Sequence, residues 1–147
     1  LILRNGRVAY TRDHPFGGNQ LVEEIMRRYE MTPEQASFFM RGEPGPENFE
    51  EEVLEPFMLN VVHQISRALQ FYSSSAEFSN IRTIYLSGTM ASLKGLGDVV
   101  EQELGIKTGV ADPITGMDLA PSVAVAALNR NAPNLMVAMG LALRGFD

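Results

Sequence analysis

Residues 81–110 carry the pattern that most limits what this chain can fold into. Residues 81–86 form an apolar, β-branched run that reads as a strand and leads directly into Ser87-Gly88-Thr89. Apolar residues then recur at helical spacing, so a helix is predicted over 93–104, with Leu96, Val99, Val100 and Leu104 facing inward. Gly105 ends it, and residues 106–110 read as a second strand. A strand, glycine turn, helix and strand of this length favours parallel strands joined by a right-handed crossover. The chain is therefore predicted to be α/β, with a mixed sheet flanked by helices.

The flanking segments fit that class. Asn5-Gly6 sits between two short β-like runs, residues 1–4 and 7–12, and this dipeptide tolerates the positive φ angles of a two-residue hairpin turn. The first arm is only four residues long and the chain does not begin with Met, which reads as a fragment. His14-Pro15-Phe16-Gly17-Gly18 breaks the pattern, and a helix is predicted over 19–29. Thr32-Pro33-Glu34-Gln35 is a helix start with a capping box, and residues 42–46 form a linker rich in Pro and Gly. Asn48 with Glu51 offers a second capping box.

The longest helix is expected to end near residues 73–75. Val53, Leu54, Phe57, Met58, Val61, Val62, Ile65, Ala68, Leu69 and Tyr72 recur along it at three- and four-residue steps, which marks a wide buried face. Pro56 must kink this helix or start it, because proline has no amide hydrogen to donate. Glu47, Glu50, Glu51, Glu52 and Glu55 crowd its N-terminal end, where carboxylates interact favourably with the helix dipole. The same glutamates also suit a basic partner. Residues 122–128 are apolar but ambiguous between strand and helix, and Asn131-Ala132-Pro133 opens a last helix through Leu143.

Charge and residue counts exclude several functions. The net charge of −6, with Arg27-Arg28 as the sole adjacent basic pair, argues against nucleic-acid binding. No run of about 18 apolar residues is present to span a membrane. The absence of cysteine removes disulfides and thiolate metal sites, and suits a reducing compartment. His14 and His63 have no metal-ligating neighbours at suitable spacing. No Gly-x-Ser-x-Gly elbow or Gly-x-x-x-x-Gly-Lys loop occurs. The candidate site is Gly88 with Thr89, because parallel sheets bind ligands at the carboxyl ends of their strands. A tight turn without a ligand is the competing explanation of that glycine.

Several stretches, in order, resemble the PilM family of the actin/FtsA superfamily. They are Leu3-Arg4-Asn5-Gly6-Arg7, Phe16-Gly17-Gly18, Leu21-Val22-Glu23-Glu24-Ile25, Ser66-Arg67-Ala68-Leu69-Gln70-Phe71 and Ile84-Tyr85-Leu86-Ser87-Gly88. Asp112-Pro113, Gly116-Met117 and the closing Gly140-Leu141-Ala142-Leu143-Arg144 complete the series. The resemblance implies the second domain of an actin-like (ribonuclease H-like) fold. Residues 1–29 and 81–147 would form its main sheet subdomain, and about 30–80 an inserted subdomain with the long helix.

Function is implied in the same way. PilM-like proteins are cytoplasmic scaffolds at the inner membrane that bind the tail of PilN and couple it to the pilus motor ATPases. The family's tail-binding groove lies mainly in the N-terminal domain, and both phosphate loops of the fold would lie before Leu1. No cofactor is therefore expected for this chain, and no enzymatic activity; ATP and magnesium would belong to an intact protein. What remains is an adenosine-side contact at Gly88 and Thr89, with Gly17 and Gly18 matching the family turn. Related proteins carry further glycines where Thr89 and Met90 stand, and a Glu and a Lys where Ser37 and Met40 stand. Remaining partners would be a motor ATPase, a regulator or a second copy, with the acidic helix start and Phe38-Phe39-Met40 as candidate surfaces. The competing readings are a lobe of another actin-like ATPase, such as a cell-division filament protein, and an interaction module without nucleotide. The cell-division relatives end in an amphipathic membrane helix, whereas this chain ends at Phe146-Asp147.

Overall fold

A computed structural model describes residues 1–39, 45–75 and 81–146. Asn5 and Gly6 take φ values of 51° and 74°, as the predicted hairpin turn needs. β1 (Ile2–Arg4) and β2 (Arg7–Tyr10) consequently pair antiparallel, with Arg4 opposite Arg7 and Leu3 opposite Val8. Leu3 and Val8 both remain exposed.

Two caps start the next helices. The Gly17 amide donates to Gln20 Oε1 at 2.7 Å, opening α1 (Gly18–Tyr29). Leu21 and Ile25, four residues apart on one face, are its buried anchors. The Thr32 amide donates to Gln35 Oε1 at 2.9 Å and the Gln35 amide to Thr32 Oγ1 at 3.4 Å, the reciprocal box expected from sequence. α2 (Pro33–Phe39) follows and buries Ala36. Met40 and most of the predicted linker lie outside the described residues, as does Asp147.

The second predicted capping box does not form. Asn48 adopts a left-handed backbone, φ 60°, and its carbonyl accepts from the Glu52 amide at 2.9 Å. No side-chain cap bond is made at Phe49, where the helix opens. The first turns, Glu50–Leu54, are wound as a π-helix instead. The Glu55 amide bonds the Glu50 carbonyl, five residues back, and Pro56 then lies at the second position of α3 (Glu55–Ser75). A proline here has no amide to continue either ladder, so the change from wide to normal winding falls at a point where a bond is missing in any case.

β3 (Thr83–Leu86) and β4 (Lys107–Val110) pair in parallel, with Thr83 opposite Lys107 and Leu86 opposite Val110. Between them the chain makes a 3-10 turn at Thr89–Ser92 and then α4 (Leu96–Leu104). The helix starts three residues later than predicted, because Leu93 is extended and Gly95 is left-handed. One apolar cluster joins α1, α2, α3 and α4, and Leu21, Ile25, Val53 and Val100 are its most deeply buried large side chains. β4 leads to Asp112, whose Oδ1 accepts from the Ile114 amide and whose Oδ2 accepts from Thr115 Oγ1, both at 2.9 Å.

That loop carries a pH prediction. The Ile114 amide first, and the Thr115 hydroxyl second, favour the ionised form of Asp112 and lower its pKa below the ordinary carboxylate value. A depressed folded pKa contributes stability that is present above the unfolded pKa and lost as pH falls through the folded one. Asp112→Asn is therefore expected to flatten the acid side of the stability profile, below pH about 4. Urea midpoints measured from neutral to acid pH test this; an identical profile in the variant would count against it.

The ambiguous run at 122–128 resolves into a loop followed by α5 (Val125–Asn131). A 3-10 turn, Ala132–Leu135, then leads into α6 (Met136–Leu143). Ala132 and Pro133 are buried, but α6 buries none of its residues, and Val137 is 74% exposed. Among the described residues, no helix is long and apolar enough to cross a membrane.

Candidate functional site

α1 begins at the Gly17-Gly18 turn, and β3 ends beside it at Leu86-Ser87. Between these two points and the inner face of α3 lies a cleft of about 790 Å³. Gly17, Gly18 and Thr89, three of the four residues singled out in the sequence, line it. Phe16, Val22, Phe57, Val61 and Ile65 give it an apolar floor, and Leu86, Met90 and Leu96 close the far side. Phe16 stacks on Phe57 with ring centroids 5.4 Å apart and planes 19° apart. Ser37 also lines the cleft, but its hydroxyl donates to the Pro33 carbonyl at 2.7 Å. Met40, named with Ser37 in the sequence, lies outside the described residues.

The fourth residue, Gly88, acts differently. Its backbone sits at φ 86°, ψ 179°, a region open essentially to glycine alone. Its amide donates to the Pro133 carbonyl at 2.8 Å, and its carbonyl accepts from the Ala91 amide at 3.0 Å. The Thr89 hydroxyl donates to Asn134 Oδ1 at 3.1 Å. The loop after β3 is thus latched to the turn before α6. Pro133, read in the sequence as part of a helix start, and Asn134 were not among the candidate site residues, because a contact across 45 residues leaves no local pattern. Gly17 contrasts with Gly88: it is extended, and an added Cβ would meet nothing within 4 Å. Backbone geometry therefore demands glycine at 88 but not at 17.

The lining is mostly apolar, with hydroxyls from Ser37, Ser87 and Thr89. Aromatic and aliphatic side chains with a few hydroxyls can accept a flat ring. Phosphates need a run of outward amides, a helix N-terminus or cationic side chains. Among the described residues none that lines the cleft is charged, and the Gly88 amide is already committed to Pro133. The N-terminus of α1 at Gly17 and Gly18 reaches the cleft wall, but no described cationic side chain stands with it to hold a triphosphate.

The comparisons with known proteins agree with this architecture. The family described as type IV pilus assembly protein PilM matches residues 1–146. A solved PilM-PilN type IV pilus biogenesis complex resembles this chain with a TM-score of 0.74 at 23% identity, covering 88% of this chain and 37% of that one. The chain thus spans little more than a third of the length of that relative, and at this identity the likeness carries the fold, a mixed α/β arrangement consistent with an actin-like second domain. With a family match that leaves out only the last residue, this chain belongs to the type IV pilus assembly protein PilM family.

Proposed function

We propose that the chain is a structural lobe of a cytoplasmic scaffold in the type IV pilus inner-membrane platform, and that it does not turn over ATP. In this reading the longer protein couples PilN-type membrane proteins to the motor ATPases. PilN would be held through the part of the relatives that this chain does not span. Residues 1–29 and 81–147 would act as the sheet subdomain, and about 30–80 as an insertion that presents a surface to partners. Family membership supports the pilus role. The observation that carries the scaffold reading is the cleft itself: among the described residues its walls hold Gly17, Gly18 and Thr89 but no charged side chain. Such a cleft offers phosphate the N-terminus of α1 but no cationic side chain among the described residues, and the apolar cluster that joins α1, α2, α3 and α4 packs around it.

Two measurements test the proposal. A fluorescent ATP analogue titrated into the chain is expected to show no saturable binding at micromolar concentrations; a micromolar dissociation constant would refute the loss of phosphate grip. The longer protein should be retained on an immobilised PilN tail together with the motor ATPase. Retention of PilN with no ATPase, whether or not the ATPase is in excess, would remove the coupling role.

A further inference from the structure

The chain's negative charge is not spread over it. Residues 30–55 contain eight acidic side chains and one basic one, whereas the rest of the chain has ten acidic and eleven basic. All of the excess charge therefore comes from this one stretch. Arg41 and Glu43 in it lie outside the described residues. Of the others, only Glu52 makes an ion pair among the described residues, with Arg28.

A largely apolar groove of about 540 Å³ opens in the same place, lined among the described residues by Met31, Gln35, Phe38 and Phe39. Phe38 is 53% exposed. The glutamates are not among the groove's lining residues but neighbour them along the chain. Glu30 directly precedes Met31. Glu34 lies one helical turn before Phe38, so the two share a face of α2. Phe39 packs on Phe49 with ring centroids 5.6 Å apart, and Glu50 and Glu51 follow Phe49 immediately.

Helix stability does not account for all of these charges. Glu50 to Glu52 and Glu55 stand at a helix N-terminal end, where carboxylates are favourable. Glu30 stands at the opposite kind of end. It caps the C-terminus of α1 in a left-handed conformation, φ 52°. A carboxylate there opposes the helix dipole, and that backbone region is uncommon for glutamate. A metal ion does not explain the cluster either: among the described residues, no group of three His, Cys, Asp or Glu side chains could hold one.

We infer that the Phe38 groove and its glutamate rim form a docking surface for a cationic amphipathic segment of a partner protein, apolar side chains in the groove and Lys or Arg against Glu30, Glu34 and Glu50. Charge complementarity selects this occupant. A neutral apolar segment would leave the rim without partners, and an acidic one would be repelled. The mode is a helix laid in a groove, with an apolar anchor setting position and rim charges setting encounter and specificity. The inference deepens the scaffold reading by naming the chemistry of a second partner. It does not depend on which pilus component that partner is.

The test uses the whole chain and a fluorescein-labelled helical peptide of Lys and Leu with one apolar face, read by anisotropy. Phe38→Ala is expected to weaken binding about tenfold, and the double variant Glu30→Gln/Glu34→Gln at least about fivefold at low salt, with the loss shrinking as salt rises. Glu103→Lys, on α4 and away from the groove, should change it by less than about twofold. Circular dichroism melts check that the variants remain folded; the Gln pair, on exposed positions, keeps the test valid if Phe38→Ala unfolds. Binding that survives both groove variants, or that Glu103→Lys weakens equally, would overturn the inference. So would concentration-dependent self-association abolished by Phe38→Ala, which would give the groove to a second copy. Because the probe contains no pilus sequence, its failure leaves the PilN and ATPase capture experiment standing on its own.

Discussion

Ile25→Ala is expected to destabilise the chain by about 2–5 kcal/mol, a large share of the net stability of a domain this size. Ile25 has no measurable exposure and lies in the apolar cluster with Leu21 on its own helix and Ala36, Val53 and Phe57 from the neighbouring elements. Truncation removes the transfer energy of the lost carbons and leaves a cavity that α1, α2 and α3 cannot close together, since α1 is fixed at both ends. Its start is held by the Gln20 box and its end by the Glu30 turn. Leu141→Ala supplies the contrast. Leu141 is 60% exposed on α6, so its loss should cost no more than about 0.5 kcal/mol. Urea denaturation of both variants reads the difference directly. Equal midpoints would mean that the helical cluster is not the structure that melts.

Much of this arrangement was legible from local chemistry. Asn5-Gly6 determined a hairpin because few dipeptides take two positive φ angles in succession. Thr32 and Gln35 determined a helix start because the reciprocal bonds need only side chains three residues apart. The face of α3 and the strand-helix-strand unit were written in apolar spacing. Asn48 and Glu51 have the same spacing as Thr32 and Gln35, yet their capping box does not form. The helix beyond Asn48 is wound in π turns ahead of Pro56, and the Glu52 amide bonds the Asn48 backbone carbonyl four residues back, a bond that no capping pattern announces. Residues 122–128 were ambiguous because a short apolar run has too few periods to separate a two-residue from a 3.6-residue repeat. The site was half legible. The turn at the end of a strand brought Gly88 and Thr89 forward, and the resemblance to the PilM family brought Gly17 and Gly18, but the connection to Pro133 and Asn134 is tertiary.

That connection gives the second large prediction. Gly88→Ala is expected to cost about 1–3 kcal/mol, from backbone strain alone. The usual reason for such a loss, a collision of the new methyl, does not apply, since nothing lies within 4 Å of where a Cβ would stand. The backbone can escape φ 86° only by rotating the Gly88 peptide, which would turn its amide away from the Pro133 carbonyl, 2.8 Å distant. Relief of strain and retention of the latch therefore exclude one another. Gly17→Ala is the matched control, because its extended backbone accepts any residue and its Cβ also meets open space. The pair separates two causes of glycine at a cleft wall: if Gly88→Ala melts near the parent while Gly17→Ala does not, the strained turn is not what holds β3 against the turn before α6. Amide exchange at Gly88 gives an independent reading, since protection there should fall in Gly88→Ala and remain in Gly17→Ala. A protected amide in the alanine variant would show that the peptide has not rotated and that the strain has been absorbed elsewhere.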